Sequence, residues 1–467
     1  NIPRFLELYN EGRLEDAFES VVMDNPLPAS TGRVCQHPCE NRCRRQMVDQ
    51  PVNMREVHRL IADEVYLSDR FDAMAEAIVS RRLEHTGRKV AIVGAGPAGL
   101  TAAFYLTMLG HDVTVYESQR EAGGMLRFAI PEYRLPKNVV QREIELIERA
   151  GVRFVFNTRI GKDLSFTDLD DGFDSVFLSI GTWNEASFQE PGAQLKGVHG
   201  SLEFLEKVAK GEPVEIGRRV AIIGGGNAAI DSARTVLRMG AEATILYRRE
   251  RKDMPAIEEE TRAARDEGAS FVFLVAPHRI IGDESGNVKA IEVAKTWLGE
   301  FDVSGRRRPV PTGEIQRIEC DSVIFAVGET VDAGFARSSG LRLRENGTIE
   351  VNRFSLETSR ARFYAGGDVT SGASNVTSAM ALGKSAARNI DRQLMESDRW
   401  MEMFRELAFG QVVPVNPTAS RRQSGRMLDV ADRVGSTSEV VCALAAEEAL
   451  EEVQRCLRCD LTFSHEN

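Results

Sequence analysis

Two stretches of the chain carry the same ten-residue phrase. Val90-Ala-Ile-Val-Gly94-Ala-Gly96-Pro97-Ala98-Gly99 returns 130 positions later as Val220-Ala-Ile-Ile-Gly224-Gly-Gly226-Asn227-Ala228-Ala229. Each follows a basic pair, with a β-branched run before the glycines and a helical pattern after them. Gly94 permits a tight turn, Gly96 lets the backbone approach a pyrophosphate, and Gly99 lets the helix pack close with its first amides facing the phosphates. Gly224 and Gly226 repeat the arrangement, and Ala229 is a tolerated variant of the third glycine. One such motif is weak evidence; two copies in strand–turn–helix context are strong evidence for two dinucleotide sites.

The strand that follows each motif separates the two sites. In the first copy Glu117 stands 23 residues after Gly94. A carboxylate there accepts hydrogen bonds from ribose hydroxyls and repels a 2′-phosphate, which suits FAD or NAD. In the second copy the equivalent residue is Tyr247, followed by Arg248 and Arg249. Two guanidinium groups and no acid predict NADPH (NADP+). The competing reading is a solvated basic turn shared with Glu250, Arg251 and Lys252. A later run, Arg362-Phe-Tyr-Ala-Gly366-Gly367-Asp368, reads as a strand ending on an acid, followed by a small-residue helix that includes Ala379. An acid so placed can hold a ribityl hydroxyl, and a small-residue helix start can lie against pyrophosphate, which favours FAD at the first site. Asp368 as an ordinary helix cap is the alternative. Two further strands end at Gly181 and Gly328 and read as crossovers between a flavin and a nicotinamide domain.

The seven cysteines are the other chemistry-bearing group. Cys35, Cys39 and Cys43 lie within nine residues, Cys442, Cys456 and Cys459 lie in the last 26, and Cys320 stands alone between them. Clusters at two ends of a large, well-cored chain read as thiolate ligands in a reducing, cytoplasmic setting rather than as disulfides. Cys456-Leu-Arg-Cys459 suits an iron–sulfur site or half of a zinc site, and three thiolates with Cys442 are one short of four. With only Cys320 between residues 44 and 441, no redox-active pair of the disulfide-reductase kind is available.

These residues need elements to hold them. The 467 residues allow about three domains. Hydrophobic residues make up 42% and charged residues 28%, a globular composition, and the net charge of −11 argues against a nucleic-acid binder. No apolar run reaches the roughly 18 residues of a membrane span. The expected architecture is α/β. Two Rossmann-like dinucleotide-binding domains, the FAD domain split by an inserted NADPH domain, follow an N-terminal α-helical cysteine domain. The expected boundaries are 1–85 (helical), 86–205 (FAD, first part), 206–330 (NAD(P)H), 331–395 (FAD, second part) and 396–467 (tail with a cysteine pair). Ile2, Phe5, Leu6 and Tyr9, and again Val57, Leu60, Ile61 and Val65, recur at helical spacing. Residues 443–455 predict a helix that delivers Cys456 and Cys459. The chain opens on Asn1 rather than Met, as a piece of a longer protein would.

Taken together, the chain resembles the glutamate synthase small subunit (β chain) group of flavoproteins. That group includes the N-terminal half of dihydropyrimidine dehydrogenase and the large subunit of NADH-dependent ferredoxin:NADP oxidoreductase. The sharpest marks are Thr31-Gly-Arg-Val-Cys35-Gln-His-Pro-Cys39-Glu-Asn-Arg-Cys43, Gly123-Gly124-Met125-Leu126, Ile130-Pro-Glu-Tyr-Arg134-Leu-Pro-Lys137 and Arg455-Cys456-Leu-Arg-Cys459. The resemblance implies FAD in the split domain, NADPH in the inserted one and [4Fe–4S] clusters on the cysteines, with some ligands outside this segment. It implies that Gly123, Gly124, Met125 and Arg134 line the flavin site and that Gly367 and Asp368 hold the ribityl-phosphate part. It also puts His58 where the family places a further cluster ligand, and a histidine on the surface of an amphipathic helix is the other reading. The implied activity is hydride transfer between NADPH and FAD, joined to one-electron steps through iron–sulfur centres. The partner would be a ferredoxin or other redox subunits, in a glutamate synthase-like or electron-bifurcating complex. The cofactors carry this chemistry, so no catalytic side chain is nominated. A non-catalytic scaffold is the rival, and two intact fingerprints weigh against it.

Overall fold

The computed structural model describes residues 1–186, 190–302, 305–404 and 418–462. The first eighty residues are helical, as their periodicity predicts: Ile2–Asn10, Leu14–Asp24, Pro28–Val34, Met54–Tyr66 and Phe71–Val79. Asn53 caps the fourth helix by accepting from the Glu56 amide. Phe5, Leu6, Leu8 and Tyr9 face inward against Val57, Leu60, Ile61 and Val65.

The strands are β1 (Lys89–Val93), β2 (Asp112–Tyr116), β3 (Arg153–Val155), β4 (Ser175–Leu178), β5 (Asn184–Glu185), β6 (Val198–Gly200), β7 (Arg219–Ile223), β8 (Glu242–Tyr247), β9 (Ser270–Phe273), β10 (Val275–Gly282), β11 (Val288–Phe301), β12 (Arg307–Glu319), β13 (Ser322–Phe325), β14 (Glu329–Thr330) and β15 (Phe363–Ala365). Two parallel five-stranded sheets result, in the orders β15-β4-β1-β2-β3 and β6-β13-β7-β8-β9. In each, the strand leading into a glycine motif has its two neighbours reached in opposite directions. That reversal opens a crevice at the carboxyl ends of the strands, where dinucleotides bind.

The second sheet therefore sits inside the first in sequence, since β15 returns to pair with β4. It starts earlier than the expected boundary at 206, because β6 at Val198–Gly200 already pairs with β13. A three-residue strand is too short for its pattern to stand out. The antiparallel pair β5–β14 carries the chain out of the first fold and back, directly after Gly181 and Gly328. A separate antiparallel sheet, β10-β11-β12, covers one face of the second sheet, packing Ile280, Ile291 and Val293 against Ala221, Ile223 and Leu246. This sheet interrupts the βαβ texture expected for residues 86–395.

The long helix Val376–Met395 lies along Pro97–Met108, the helix of the first glycine motif. Contact is so close at Gly383 that an added Cβ would stand 2.2 Å from the Ala98 carbonyl oxygen. The tail returns to the helical domain through Ala446–Val453, shorter at both ends than the expected 443–455. Among the described residues no helix is long and apolar enough to cross a membrane.

Candidate functional site: one cavity between two glycine motifs

A cavity of about 460 Å³ opens at the carboxyl ends of the first sheet. Gly94, Gly96, Pro97 and Ala98 line it, with Glu117 on the next strand, Gly124 and Met125 on the following turn, and Gly181 at the crossover. Gly367, Asp368 and Ala379 close it from the returning segment. Asn227, Ala228 and Asp231 line the same cavity from the second motif's helix. The structure thus brings residues of both fingerprints to one place.

Close packing explains the third glycine. A Cβ at Gly99 would stand 1.9 Å from the Gly94 carbonyl oxygen, so Gly99 shapes the turn without touching the cavity. At Gly96 the same test meets only the Gly124 Cα at 4.0 Å, leaving an open cradle over the backbone. Gly123 packs under Arg127, and Gly224, Gly226 and Gly328 lie outside the cavity lining.

Glu117 is buried, at 7% exposure. Its Oε2 accepts from the Ala95 amide at 2.8 Å, and its Oε1 accepts from the Gln119 amide at 2.8 Å and from Ser118 Oγ at 3.1 Å. A carboxylate offers about four acceptor positions, so the group is held in place with capacity left for a hydroxyl donor. Asp368 accepts from Ser374 Oγ at 2.5 Å, and burial raises its pKa. Glu329, which also lines the cavity, is raised by burial and by Asp368. Sequence reasoning passed over Glu329 and Trp183, which lie one and two residues after the crossover glycines Gly328 and Gly181.

Two predicted arginines are engaged elsewhere. Arg134 reaches the cavity, but its Nη1 donates to both Asp231 oxygens, at 2.7 and 2.6 Å, and its Nε stands 3.2 Å from Glu260. It ties the first fold to the second rather than offering a free cation to flavin. Tyr133 beside it donates its hydroxyl to the Asp231 carbonyl at 3.1 Å and lies under Arg238, 3.8 Å from ring centre to guanidinium. Arg249 is 3% exposed. It donates to Asp302 Oδ2 at 2.7 Å and to the Arg307 carbonyl at 2.8 Å, pinning the end of the β11–β12 hairpin. Of the two arginines expected to meet a 2′-phosphate, Arg249 is thus held by the hairpin and Arg248 is exposed. Its pKa is lowered by partial burial and by the nearby Arg249 and Arg306.

The cysteine domain also reaches the cavity. Val34 and Gln36, on either side of Cys35, line it, and Thr377, in the helix that closes the cavity, lies near the Cys35 thiol. Burial raises the pKa of Cys35, and burial and then Cys35 push Cys39 up to about 11. His58 is not brought to these thiols. Its Nδ1 stands 3.0 Å from the Met54 carbonyl and its Nε2 3.4 Å from Thr31 Oγ1, and desolvation lowers its pKa to about 4. Both nitrogens therefore face the helical core. Cys442 is exposed, and Cys320 is buried against the second sheet.

The family model for pyridine nucleotide-disulphide oxidoreductases matches residues 88–383. The chain belongs to the pyridine nucleotide-disulphide oxidoreductase family. Within this family it lacks a cysteine pair beside the flavin, since Cys320 is the sole cysteine of the matched region. Residues 1–69 match the model described as dihydropyrimidine dehydrogenase domain II, 4Fe-4S cluster. Among curated relatives, the NADPH-Fe(3+) oxidoreductase subunit beta of Geobacter sulfurreducens is 34% identical over 98% of this chain and 73% of its own length. The NADP(+)-dependent formate dehydrogenase subunit beta of Moorella thermoacetica is 36% identical over 98% and 69%. The glutamate synthase [NADPH] small chain of Escherichia coli strain K12 is 34% identical over 83% and 85%. Among solved structures, FprA of Mycobacterium tuberculosis in complex with NADPH aligns with a TM-score of 0.59 at 19% identity, over 79% of this chain and 99% of that one, a likeness of fold. This family member is accordingly an FAD- and NAD(P)H-dependent oxidoreductase with an N-terminal 4Fe–4S domain. The cysteines form no disulfide among the described residues, and most of them are half-buried. Among the described residues, however, no three His, Cys, Asp or Glu side chains stand close enough to hold one metal ion.

Proposed function

We propose that the chain is the flavoprotein subunit of a redox complex and moves electrons between NADPH and iron–sulfur carriers through FAD. The observation that carries this reading is the shared cavity, lined at once by the first glycine turn, by Asn227 and Ala228 of the second motif and by the two residues flanking Cys35. FAD, when bound, supplies the exchange between a two-electron hydride and single electrons. The chain's residues position. Glu117 and Asp368 hold the ribose and ribityl hydroxyls, Gly96 and the first amides of the helix Pro97–Met108 take the pyrophosphate, and Arg248 takes the 2′-phosphate. The clamp of Arg134 on Asp231 sets the nicotinamide fold against the flavin fold and would limit how two bound rings could be oriented. Cys35, flanked by the cavity residues Val34 and Gln36, would take up the electrons that leave the flavin.

The relatives are named as subunits that use NADPH or NADP(+). For this chain the partner is read as a ferredoxin or another iron–sulfur subunit, and seven cysteines without a disulfide among the described residues support the reading of a reducing, cytoplasmic setting. The deciding experiment is anaerobic titration of the purified protein with NADPH, followed at the flavin absorbance, then addition of oxidised ferredoxin. The expected result is bleaching by about one equivalent of NADPH per FAD and recovery of the colour on adding ferredoxin. A protein that carries no flavin, or a flavin that NADPH does not bleach, would overturn the reading in favour of a scaffold.

A further inference from the structure

The second glycine motif opens a helix whose far end is held by a segment from late in the chain. Asn227 and Ala228, at the start of the helix Asn227–Arg238, line the cavity. The 12 residues of that helix put Arg238 about 18 Å away. The Arg238 side chain is 4% exposed. Its Nε donates to the Ser436 carbonyl at 3.1 Å and its Nη1 to Glu267 Oε2 at 2.8 Å, while its guanidinium lies on the Tyr133 ring of the flavin fold. Ser436 belongs to a loop, residues 426–442, that closes on itself. The Leu428 amide donates to the Val440 carbonyl at 2.9 Å, and the Cys442 amide to the Arg426 carbonyl at 2.8 Å. The loop reaches all three parts of the molecule. Toward the nicotinamide fold, the buried Arg433 stands 3.6 Å from Glu267. Toward the flavin fold, the Val440 amide donates to the Tyr133 carbonyl at 3.1 Å. Toward the helical domain, Glu439 accepts from Arg33 Nε and Arg59 Nη2, each at 2.7 Å, and Arg59 also donates to the Val441 carbonyl at 2.9 Å.

The charges at this junction are closely matched. The guanidiniums of Arg134, Arg234, Arg238 and Arg433 meet the carboxylates of Asp231, Glu260 and Glu267. The Tyr133 ring faces Arg234 at 4.7 Å and Arg238 at 3.8 Å, which offsets part of the cationic excess. Two folds joined only by crossover strands move relative to each other by default unless an interface holds them. Here charge-assisted bonds from buried arginines, the stronger class of hydrogen bond, make that interface.

Resting on the reading of this chain as a flavoprotein that exchanges hydride with NADPH, we infer that residues 426–442 are an interdomain clasp and that Arg238 is a positioning residue for the transfer. The clasp grips the helix of the second motif at its far end and the flavin fold at Tyr133. It therefore sets the angle at which Asn227 and Ala228 approach the cavity. A misplacement on the order of 1 Å at the reacting atoms can slow a reaction by about 100-fold. Binding of the nucleotide uses the glycine turn and Arg248, which the clasp does not touch. The clasp should therefore govern the rate of transfer within the complex rather than the affinity for NADPH.

The test uses the full chain as purified, in the variants Arg238→Met, Arg433→Met and Glu439→Gln, with the exposed Asp432→Asn as a control on the same loop. In Arg238→Met, Glu267 keeps both bonds from Arg234, so no bare carboxylate is left buried. Two quantities are measured: hydrogen exchange at the Leu428, Val440 and Cys442 amides, and the stopped-flow rate of flavin reduction against NADPH concentration. The three amides should exchange faster in the first three variants and as in the wild type in Asp432→Asn, while the amides of β1 and β4 keep their protection. Arg238→Met should lower the limiting rate of flavin reduction about tenfold, with the Kd for NADPH changed less than about twofold. Arg238→Lys, which keeps a cation over Tyr133, should recover most of that rate. Unchanged exchange, an unchanged limiting rate, a loss that falls on Kd alone, or equal loss of protection in β1 and β4 would each overturn the clasp. Should Arg238→Met not fold, the same pair of measurements in Arg433→Met decides. A wild-type flavin that NADPH does not bleach would overturn the flavoprotein reading and with it the role of Arg238 in the transfer, while the exchange of the three amides would still report whether the loop holds the folds together.

Discussion

The two nucleotide folds begin from one phrase and diverge within thirty residues. In the first, the Glu117 carboxylate stands under the glycine turn and is fixed by the Ala95 and Gln119 amides. In the second, the Tyr247 ring occupies the neighbourhood of the turn. A Cβ on Gly225 would stand 2.4 Å from that ring, whose hydroxyl donates to the Asp253 carbonyl at 2.7 Å. The first fold thus places a fixed, buried carboxylate beside its turn, and the second places an aromatic ring there, followed by the exposed Arg248. The folds also differ in what covers them. The first shares a continuous core with the helical cysteine domain, while the second is backed by the antiparallel sheet. One scaffold serves two ligands because specificity lies in the residues after the second strand and in the neighbouring element, while the turn supplies only generic phosphate binding.

That comparison can be broken in four ways, in order of expected size. Glu117→Ala removes the hydroxyl acceptor of the first fold only. It should abolish retention of FAD through purification while NADPH still binds, and normal flavin content would remove the distinction between the folds. Asp231→Ala leaves the buried Arg134 with Glu260 as its remaining acid at 3.2 Å, at a cost of up to about 3–5 kcal/mol. Chemical denaturation should show that loss, and a change under 1 kcal/mol would mean that the clamp does not hold the folds together. Arg248→Ala should raise KM for NADPH by about tenfold or more while leaving NADH unchanged, since a charge-assisted hydrogen bond contributes roughly 1.5–3 kcal/mol. Arg249→Ala should instead loosen the hairpin and affect both nucleotides alike. The reverse pattern would return the 2′-phosphate to Arg249.

The smallest effect concerns how the first fold holds the helical domain. Glu143, from the helix Lys137–Arg149, accepts from the Ala29 amide at 2.7 Å, the Ser30 amide at 3.0 Å and Ser30 Oγ, at the start of the helix that leads to Cys35. Burial pushes its carboxyl up to about 7. Because the folded value lies above the ordinary 4.5, its contribution to stability is complete below about pH 4.5 and fades as pH rises through about 7. Melting temperatures measured from pH 5 to 8 should fall less in Glu143→Gln than in the wild type. Parallel slopes would show that Glu143 does not govern this contact.

The sequence by itself determined the two dinucleotide folds, the split of the first by the second, the acid against the arginines and the presence of clustered thiols. These are local patterns: a turn that needs glycine, a strand that ends on a chosen side chain, and cysteines a few residues apart. Tertiary structure alone decided which side chains remain free to meet a ligand. Arg249 is taken by Asp302, 53 residues away, and Arg134 by Asp231, 97 residues away. The segment after Cys43 meets the C-terminal helix through Arg45, which donates to the Arg455 carbonyl, 410 residues away. The antiparallel sheet that engages Arg249 and the tail that meets Arg45 leave no mark on the motifs themselves. A buried cation or thiol is held by whatever group the fold brings beside it, and that neighbour lies too far along the chain for spacing to reveal.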